Sequence, residues 1–514
     1  MNVADHLAAA AARSPDALAI HVCATGESVT FAELDAATNA VALGLVNLGI
    51  EPGERVLLMV RPGIEIITLT YACFRMGALP VLIDPGMGRP AFLACVASMK
   101  PTGLIGIPIA HVARLLFPSS FHTVKHAITV GTRWFWGGAT YAQLRATIGD
   151  FQRRDMERDT PAAILFTSGS TGPAKGVLYT HGIFDAQVVS LRETYGFEAG
   201  EIDVAAFPLF SLFDNALGMT SIIPDMDASK PASVRPEKIA EAITRFQATT
   251  AFGSPVIWRK SAPWFQAHGV TFPSLRRIMI AGAPIPPTLL ETLLTAVPNG
   301  DVGTPYGATE ALPVACVWGR EILRETADRT RAGAGTCVGR VAHGIELAII
   351  RIDDGPLPSF DRALVVPDGE VGEICVRGAQ VTSTYVERED ANAAAKMADG
   401  DTTWHRMGDL GYRDVEGRIW FCGRKAERVG AVFTDQVEGV FNAWPEISRS
   451  ALVGIGGAPA LIIEGPRDEV LAAKILATGH VGRVLFHPAF PVDARHQSKI
   501  HRHTLARWAA EQPS

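Results

Sequence analysis

Two apolar rhythms alternate along the first third of the chain, one at helical spacing and one in short unbroken runs. The alanine-rich segment Val3–Arg13 has helical character, and Ser28-Val-Thr-Phe-Ala-Glu-Leu opens a second helix with Thr30 as its N-cap. Ala36–Leu48 reads as a helix stopped by Gly49, and Glu65–Met76 as another stopped by Gly77. Between them Arg55–Val60 and Leu79–Ile83 read as buried strands, and Leu104–Ile107 and His126–Val130 continue the pattern. Alternation at this spacing predicts βαβ units around a largely parallel sheet. After a polar connection at Arg153–Thr160 the rhythm resumes, with a strand into Phe166, a helix over His181–Tyr195, and a strand over Val204–Phe210 that ends in an aromatic cluster with Phe213 and Asp214. Ala251-Phe-Gly-Ser-Pro and Arg277-Ile-Met-Ile-Ala-Gly-Ala-Pro are two further strand-to-loop junctions, where open α/β sheets place ligands. From Gly333 to Arg377 the strands become short and turn-punctuated, which predicts a small antiparallel unit.

Chemistry concentrates first in Ile164-Leu-Phe-Thr-Ser-Gly-Ser-Thr-Gly-Pro-Ala-Lys-Gly-Val177, where an apolar strand runs into small hydroxyl and glycine residues closed by a lysine. Gly169 and Gly172 let backbone amides converge on an anion, Thr167, Ser168, Ser170 and Thr171 add hydroxyl donors, and Lys175 adds a point charge. The stretch is a phosphate cradle but not a Walker A loop, because Gly176 stands where that motif needs a metal-binding hydroxyl.

Composition narrows the picture. A chain of 514 residues is too long for one core, and a net charge of -6 gives no footprint for nucleic acid. The seven cysteines are scattered and never in C-x-x-C spacing, which argues against a disulfide framework or a zinc site. No signal-peptide pattern and no membrane-spanning run is visible, so a cytoplasmic protein with no transmembrane segment is expected.

The T-S-G-S-T-G-x-x-K-G string resembles the phosphate-loop signature of the adenylate-forming superfamily of acyl-CoA synthetases, nonribosomal-peptide adenylation domains and luciferases. Thr304-Pro-Tyr-Gly-Ala-Thr-Glu310 matches the family's Y-G-x-T-E motif, and Gly282-Ala283-Pro284 resembles its adenine-contacting segment. The resemblance implies that Tyr306, followed by Gly307, stacks on adenine, that Thr309 meets the α-phosphate and that Glu310 holds Mg²⁺ beside ATP. A hard cation wants carboxylate oxygen. His405-Arg-Met-Gly-Asp-Leu-Gly resembles the family's T-G-D block with Met407 in place of threonine, which puts Asp409 on the ribose hydroxyls and Arg424 near ribose and phosphate. Lys499-Ile-His-Arg-His-Thr-Leu505 resembles the catalytic-lysine motif, although the stretch from Pro491 to Lys499 is longer than in typical members.

The family fold implied is α/β: a large N-terminal domain of doubly wound mixed sheets over residues 1–424, with a β-barrel subdomain at roughly 333–423. A small mobile α+β C-terminal lid over 425–514 would carry Lys499. Four departures matter. Ser211 stands where acyl-CoA synthetases often carry a histidine after F-P-L-F, and Ala426 replaces the usual hinge aspartate or lysine. Val429-Gly-Ala-Val-Phe-Thr-Asp-Gln-Val-Glu438 also lacks the lysine and proline of the block that completes a pantetheine tunnel. Ala174 replaces the proline usual before Lys175, which leaves the phosphate loop less restrained.

A branch without that block is the β-lactone synthetases of bacterial olefin pathways. This chain is similar to it in M-V-R-P at Met59, V-L-I-D-P-G at Val81, S-I-I-P-D-M-D at Ser221, G-A-G-T-C-V-G at Gly333 and F-P-V-D-x-R-H at Phe490. That resemblance implies a long-chain 2-alkyl-3-hydroxy fatty acid, adenylated and then attacked by its own β-hydroxyl to give a β-lactone, AMP and diphosphate. The implied partners are this β-hydroxy acid and other enzymes of the same lipid pathway. The alternatives are a fatty acid-CoA ligase, a fatty acyl-AMP ligase, or a non-catalytic ATP-binding scaffold. For His181 two roles stay open, base for the β-hydroxyl or structural histidine.

Overall fold

The computed structural model describes residues 1–167, 174–492 and 500–512. Each apolar run of the first third forms the expected kind of element, most ends shifted by no more than two residues. Helices span Asp5–Arg13, Phe31–Asn47 and Ile64–Met76, and strands span Arg55–Met59, Leu79–Leu82, Gly103–Gly106 and His126–Thr129. Phe31–Asn47 is one helix rather than two, begun by a full capping box. The Thr30 hydroxyl accepts the Glu33 amide at 3.2 Å, and the Glu33 carboxylate accepts the Thr30 amide at 2.8 Å. Ile64–Met76 ends at Gly77, whose φ of 82° closes the last turn at no steric cost.

These strands build a seven-stranded sheet. Its order is 139–140, 126–129, 103–106, 55–59, 79–82, 161–166 and 176–180, parallel throughout except for the last pair. A 14-stranded sheet lies beside it. Strands 18–22, 220–223, 202–205, 250–253, 277–280 and 301–308 run parallel, and the sheet then continues through antiparallel strands 311–318, 336–341, 419–424, 402–413, 372–378 and 345–350. The turn-punctuated region is thus an extension of the large sheet. A third sheet of strands 450–455, 458–464 and 483–487 packs with helices Thr434–Phe441, Glu469–Ala477 and Arg502–Ala510. The whole is the mixed α/β architecture expected.

One element differs. The strand expected to reach Phe210 stops at Ala205, and Pro208–Phe210 forms a 3₁₀ turn. Strand Ile202–Ala205 has a neighbour on each side, and Pro208 has no amide to donate to such a ladder, so the strand cannot continue through it. No helix of the described residues is long and apolar enough to cross a membrane.

His181 opens the helix His181–Tyr195 and is fully buried. Its Nδ1 accepts the Val3 amide at 3.1 Å and its ring meets Phe74 edge-on at 6.2 Å, so it locks the N-terminal helix onto the core. Burial pulls its pKa down to about 4; the N-terminal ammonium adds to this and Asp5 opposes it. Because the folded value lies below the unfolded one, the unfolded chain binds the extra proton. The stability contributed is complete above pH 6.5 and is lost as pH falls toward 4, to the extent of about 3 kcal/mol. Urea unfolding at pH 7.5 and 5 is expected to show about 2 kcal/mol of this loss, and less of it in His181→Asn.

Candidate active site

The neck of the phosphate loop is closed by the chain itself. Strands Pro161–Phe166 and Gly176–Thr180 pair antiparallel, the Thr167 amide donates to the Lys175 carbonyl at 3.1 Å, and the Lys175 amide donates to the Thr167 hydroxyl at 3.2 Å. Thr167 and Lys175 therefore stand side by side at the carboxyl end of a buried strand, where open sheets bind ligands. Ser168, Gly169, Ser170, Thr171 and Gly172, and Lys499, lie outside the described residues.

In the large sheet, two neighbouring parallel strands carry the next groups. Met279 pairs with Gly303, so Gly282-Ala283-Pro284 follows one strand while Tyr306 and Gly307 lie in the last part of the next, Asp301–Ala308. Thr309 and Glu310 form the turn between strands Asp301–Ala308 and Ala311–Trp318. The motif is a β-hairpin tip, which displays its side chains toward a ligand while the strands stay fixed. The Tyr179 hydroxyl donates to the Thr309 carbonyl at 2.5 Å and braces that tip from the phosphate-loop strand.

A second cluster assembles around Asp409, which is buried. Asp409 and Arg424 are direct partners in the antiparallel pair of strands Thr402–Arg413 and Ile419–Arg424. Arg424 Nη1 donates to Asp409 Oδ1 at 2.6 Å and to the Met407 carbonyl at 3.2 Å, and the Tyr306 hydroxyl donates to Asp409 Oδ2 at 2.5 Å. A carboxylate has about four acceptor positions, so two remain for hydroxyl donors. Burial and the Asp409 charge raise the Tyr306 phenol well above its ordinary value, which keeps it a neutral donor. Met407 packs with Tyr306 and Ala311 in the apolar core beneath the site, so the residue that replaces threonine supports the site through packing.

Sequence reasoning missed the group that fastens Glu310. The Tyr385 hydroxyl donates to Glu310 Oε1 at 2.6 Å, while the Thr382 amide and hydroxyl donate to the Glu310 carbonyl at 2.9 and 3.0 Å. Lys175 Nζ lies 4.8 Å from the Tyr385 ring centroid and Lys396 Nζ 5.3 Å from it. Burial pulls the Lys396 ammonium down to about 7, opposed by the Glu310 charge and helped by Lys175, and His405 beside it is held well below the ordinary histidine range by burial. The only signal in the sequence was a tyrosine and a lysine flanking the short helix Glu389–Ala395. Tyr385 and Lys396 are separated from Glu310 by a whole antiparallel unit.

The donor set suits Mg²⁺. No group of three or more His, Cys, Asp or Glu side chains is gathered for a metal among the described residues, so a dedicated protein cage is absent there. A single anchored carboxylate at a phosphate site is the arrangement Mg²⁺ uses, since it keeps several waters and takes substrate phosphates as ligands.

Past Arg424 the chain stays fastened to the antiparallel strands. Lys425 Nζ binds Glu373 Oε1 at 2.9 Å and Arg428 binds Asp354 Oδ2 at 2.7 Å, on either side of Ala426. Val429 and Val432 then exchange backbone hydrogen bonds at 3.0 Å across a tight turn whose Gly430 has φ 60°. His181 is not gathered into any of these clusters; its contacts are those of a structural histidine.

The strand-end turn at Thr167 and Lys175, the hairpin-tip carboxylate of Glu310 braced through Tyr179, and the buried Asp409 make an arrangement suited to a nucleotide. The profile of the AMP-binding enzyme family matches residues 7–386, and the chain belongs to that family of adenylate-forming ligases. It is similar to the olefin beta-lactone synthetase of Stenotrophomonas maltophilia (strain K279a), 44% identical over an alignment of 549 residues that covers 99% of this chain and 98% of the relative. It is likewise 43% identical to the olefin beta-lactone synthetase of Xanthomonas campestris pv. campestris, with the same coverage. The fold is that of the amide bond synthetase of Marinactinospora thermotolerans, with a TM-score of 0.81 at 24% identity over 99% of both chains. A fatty acyl CoA synthetase of Mycobacterium tuberculosis shares it at TM-score 0.75 and 21% identity, over 99% of this chain and 98% of that one.

Proposed function

We propose that the chain adenylates a long-chain 2-alkyl-3-hydroxy fatty acid with ATP and that the acid's own β-hydroxyl then displaces AMP to close a β-lactone. The observation that carries this reading is the end-to-end identity of 44% to an olefin beta-lactone synthetase. In the first step a carboxylate oxygen bonds to the α-phosphorus and diphosphate leaves. In the second the β-hydroxyl oxygen bonds to the acyl carbon, its proton is released, and the bond to AMP breaks. An internal nucleophile needs no tunnel for a second substrate, because its effective concentration is already high. The self-closed turn at Val429–Val432 supports this, since it stands where a thiol-guiding block would begin.

The residues take these roles. Thr167, Ser168, Gly169, Ser170, Thr171, Gly172 and Lys175 cradle the phosphates; Gly282, Ala283, Pro284, Tyr306 and Gly307 hold adenine; Asp409 and Arg424 hold the ribose. Thr309 meets the α-phosphate and Glu310 holds Mg²⁺. The cation, when bound, neutralises charge between the two anionic reactants. Residues 425–514 act as the lid that delivers Lys499. The expected product mixture from ATP, Mg²⁺ and a 2-alkyl-3-hydroxy acid without CoA is β-lactone, AMP and diphosphate by mass spectrometry. Turnover only after CoA is added would sink the reading.

A further inference from the structure

We infer that Lys396 is a positioning residue for Glu310, and that it sets how firmly the ATP complex takes a divalent cation. The inference rests on the proposed role of Glu310 as the cation-holding carboxylate. Lys396 is the first residue of strand Lys396–Asp399, after helix Glu389–Ala395, and no carboxylate among the described residues lies within ion-pair distance of it. Its Nζ instead donates to the Thr382 carbonyl at 2.5 Å and to the Thr382 hydroxyl at 3.3 Å. Thr382 holds the Glu310 main chain with its amide and hydroxyl. Lys396 also lies within cation–π range of the Tyr385 ring, and Tyr385 holds the Glu310 carboxylate. One ammonium thus grips both groups that fasten Glu310, one on its backbone and one on its side chain.

The need for such a grip follows from where Glu310 stands. It sits at a hairpin tip, partly exposed, with two backbone neighbours and no helix to orient it. Mg²⁺ demands near-ideal geometry from the few protein ligands it takes, and residues that orient a metal ligand typically matter about 10- to 100-fold in metal affinity. A bare electrostatic role makes the opposite prediction. A buried cation near the site repels a second one, so removing it would tighten metal binding.

Lys396→Met keeps the length of the stem and removes the charge. Mn²⁺ binding to the complex with a non-hydrolysable ATP analogue, followed by electron paramagnetic resonance, is expected to weaken about 10- to 100-fold at an unchanged melting temperature, with Lys396→Arg recovering most of the loss. Lys396→Gln serves if the methionine variant does not fold. Unchanged or tighter Mn²⁺ binding overturns the inference, as does a loss that tracks a lowered melting temperature and is not recovered by arginine. Glu310→Gln in the same assay keeps the two readings apart. If it leaves Mn²⁺ affinity intact, the role of Glu310 fails; if it weakens binding while the Lys396 variants do not, only the role of Lys396 fails. Lactone formation is not measured, so the choice of acyl substrate does not enter.

Discussion

Lys499→Ala is expected to lower carboxylate-dependent pyrophosphate exchange by at least about 10²–10³-fold while ATP still binds. Adenylation moves charge onto the phosphoryl oxygens and the departing diphosphate, and one preorganised donor aimed at that charge typically contributes this much. The described residues nearest to Lys499 in the chain are fastened to the rest of the unit. Val492 and Ile500 form an antiparallel bridge, the His501 amide donates to the Pro491 carbonyl at 2.8 Å, and Arg502 binds Glu438 Oε2 at 2.7 Å. Leu505 is fully buried in the core of the third sheet. The helix that follows is therefore anchored on the third sheet. Exchange at the wild-type rate in Lys499→Ala would remove Lys499 from the mechanism; equilibrium ATP binding measured alongside separates a catalytic loss from a binding loss.

Asp409→Asn is expected to weaken ATP binding by about 10²-fold, because the ribose hydroxyls lose a charged acceptor and a hydrogen bond to a charged group is worth about 1.5–3 kcal/mol. The substitution keeps the shape but leaves the half-buried Arg424 guanidinium without its counter-charge, and it gives the Tyr306 hydroxyl a weaker acceptor. Tyr306→Phe removes only the hydroxyl and keeps the ring, so a neutral hydrogen bond of about 1 kcal/mol is at stake and a loss of fivefold or so is expected. Calorimetric titration with ATP checks both. Equal losses in the two variants would mean that Asp409 acts only by holding Tyr306, and an unchanged affinity in a folded Asp409→Asn would take Asp409 off the ribose.

The same carboxylate shows how far a sequence reading reaches. Asp409 and Arg424 belong to one contiguous block, and the hairpin that pairs them is short, so their alliance was legible. Tyr306 was expected beside adenine only through the family resemblance, whereas its bond to Asp409 spans 103 positions and follows from how two distant strands share one sheet. The strand expected to reach Phe210 failed for a local reason, a proline whose effect on the ladder outweighed the apolar run around it. The family relationship and the ligase chemistry were legible because the motifs are dense and lie in order.

By itself the sequence determined what adjacent residues can build: the amphipathic helices and buried strands, the Thr30 capping box, and the contiguous candidates for phosphate, adenine and ribose contacts. Only the tertiary structure decided that Thr382, Tyr385 and Lys396 converge on Glu310 across 72 to 75 positions and more. A phosphate cradle is made by neighbours in the chain, so its chemistry is written in spacing. The orientation of a hairpin-tip carboxylate is set by strand register and by side chains reaching across from another part of the sheet, and neither leaves a periodic trace in the chain.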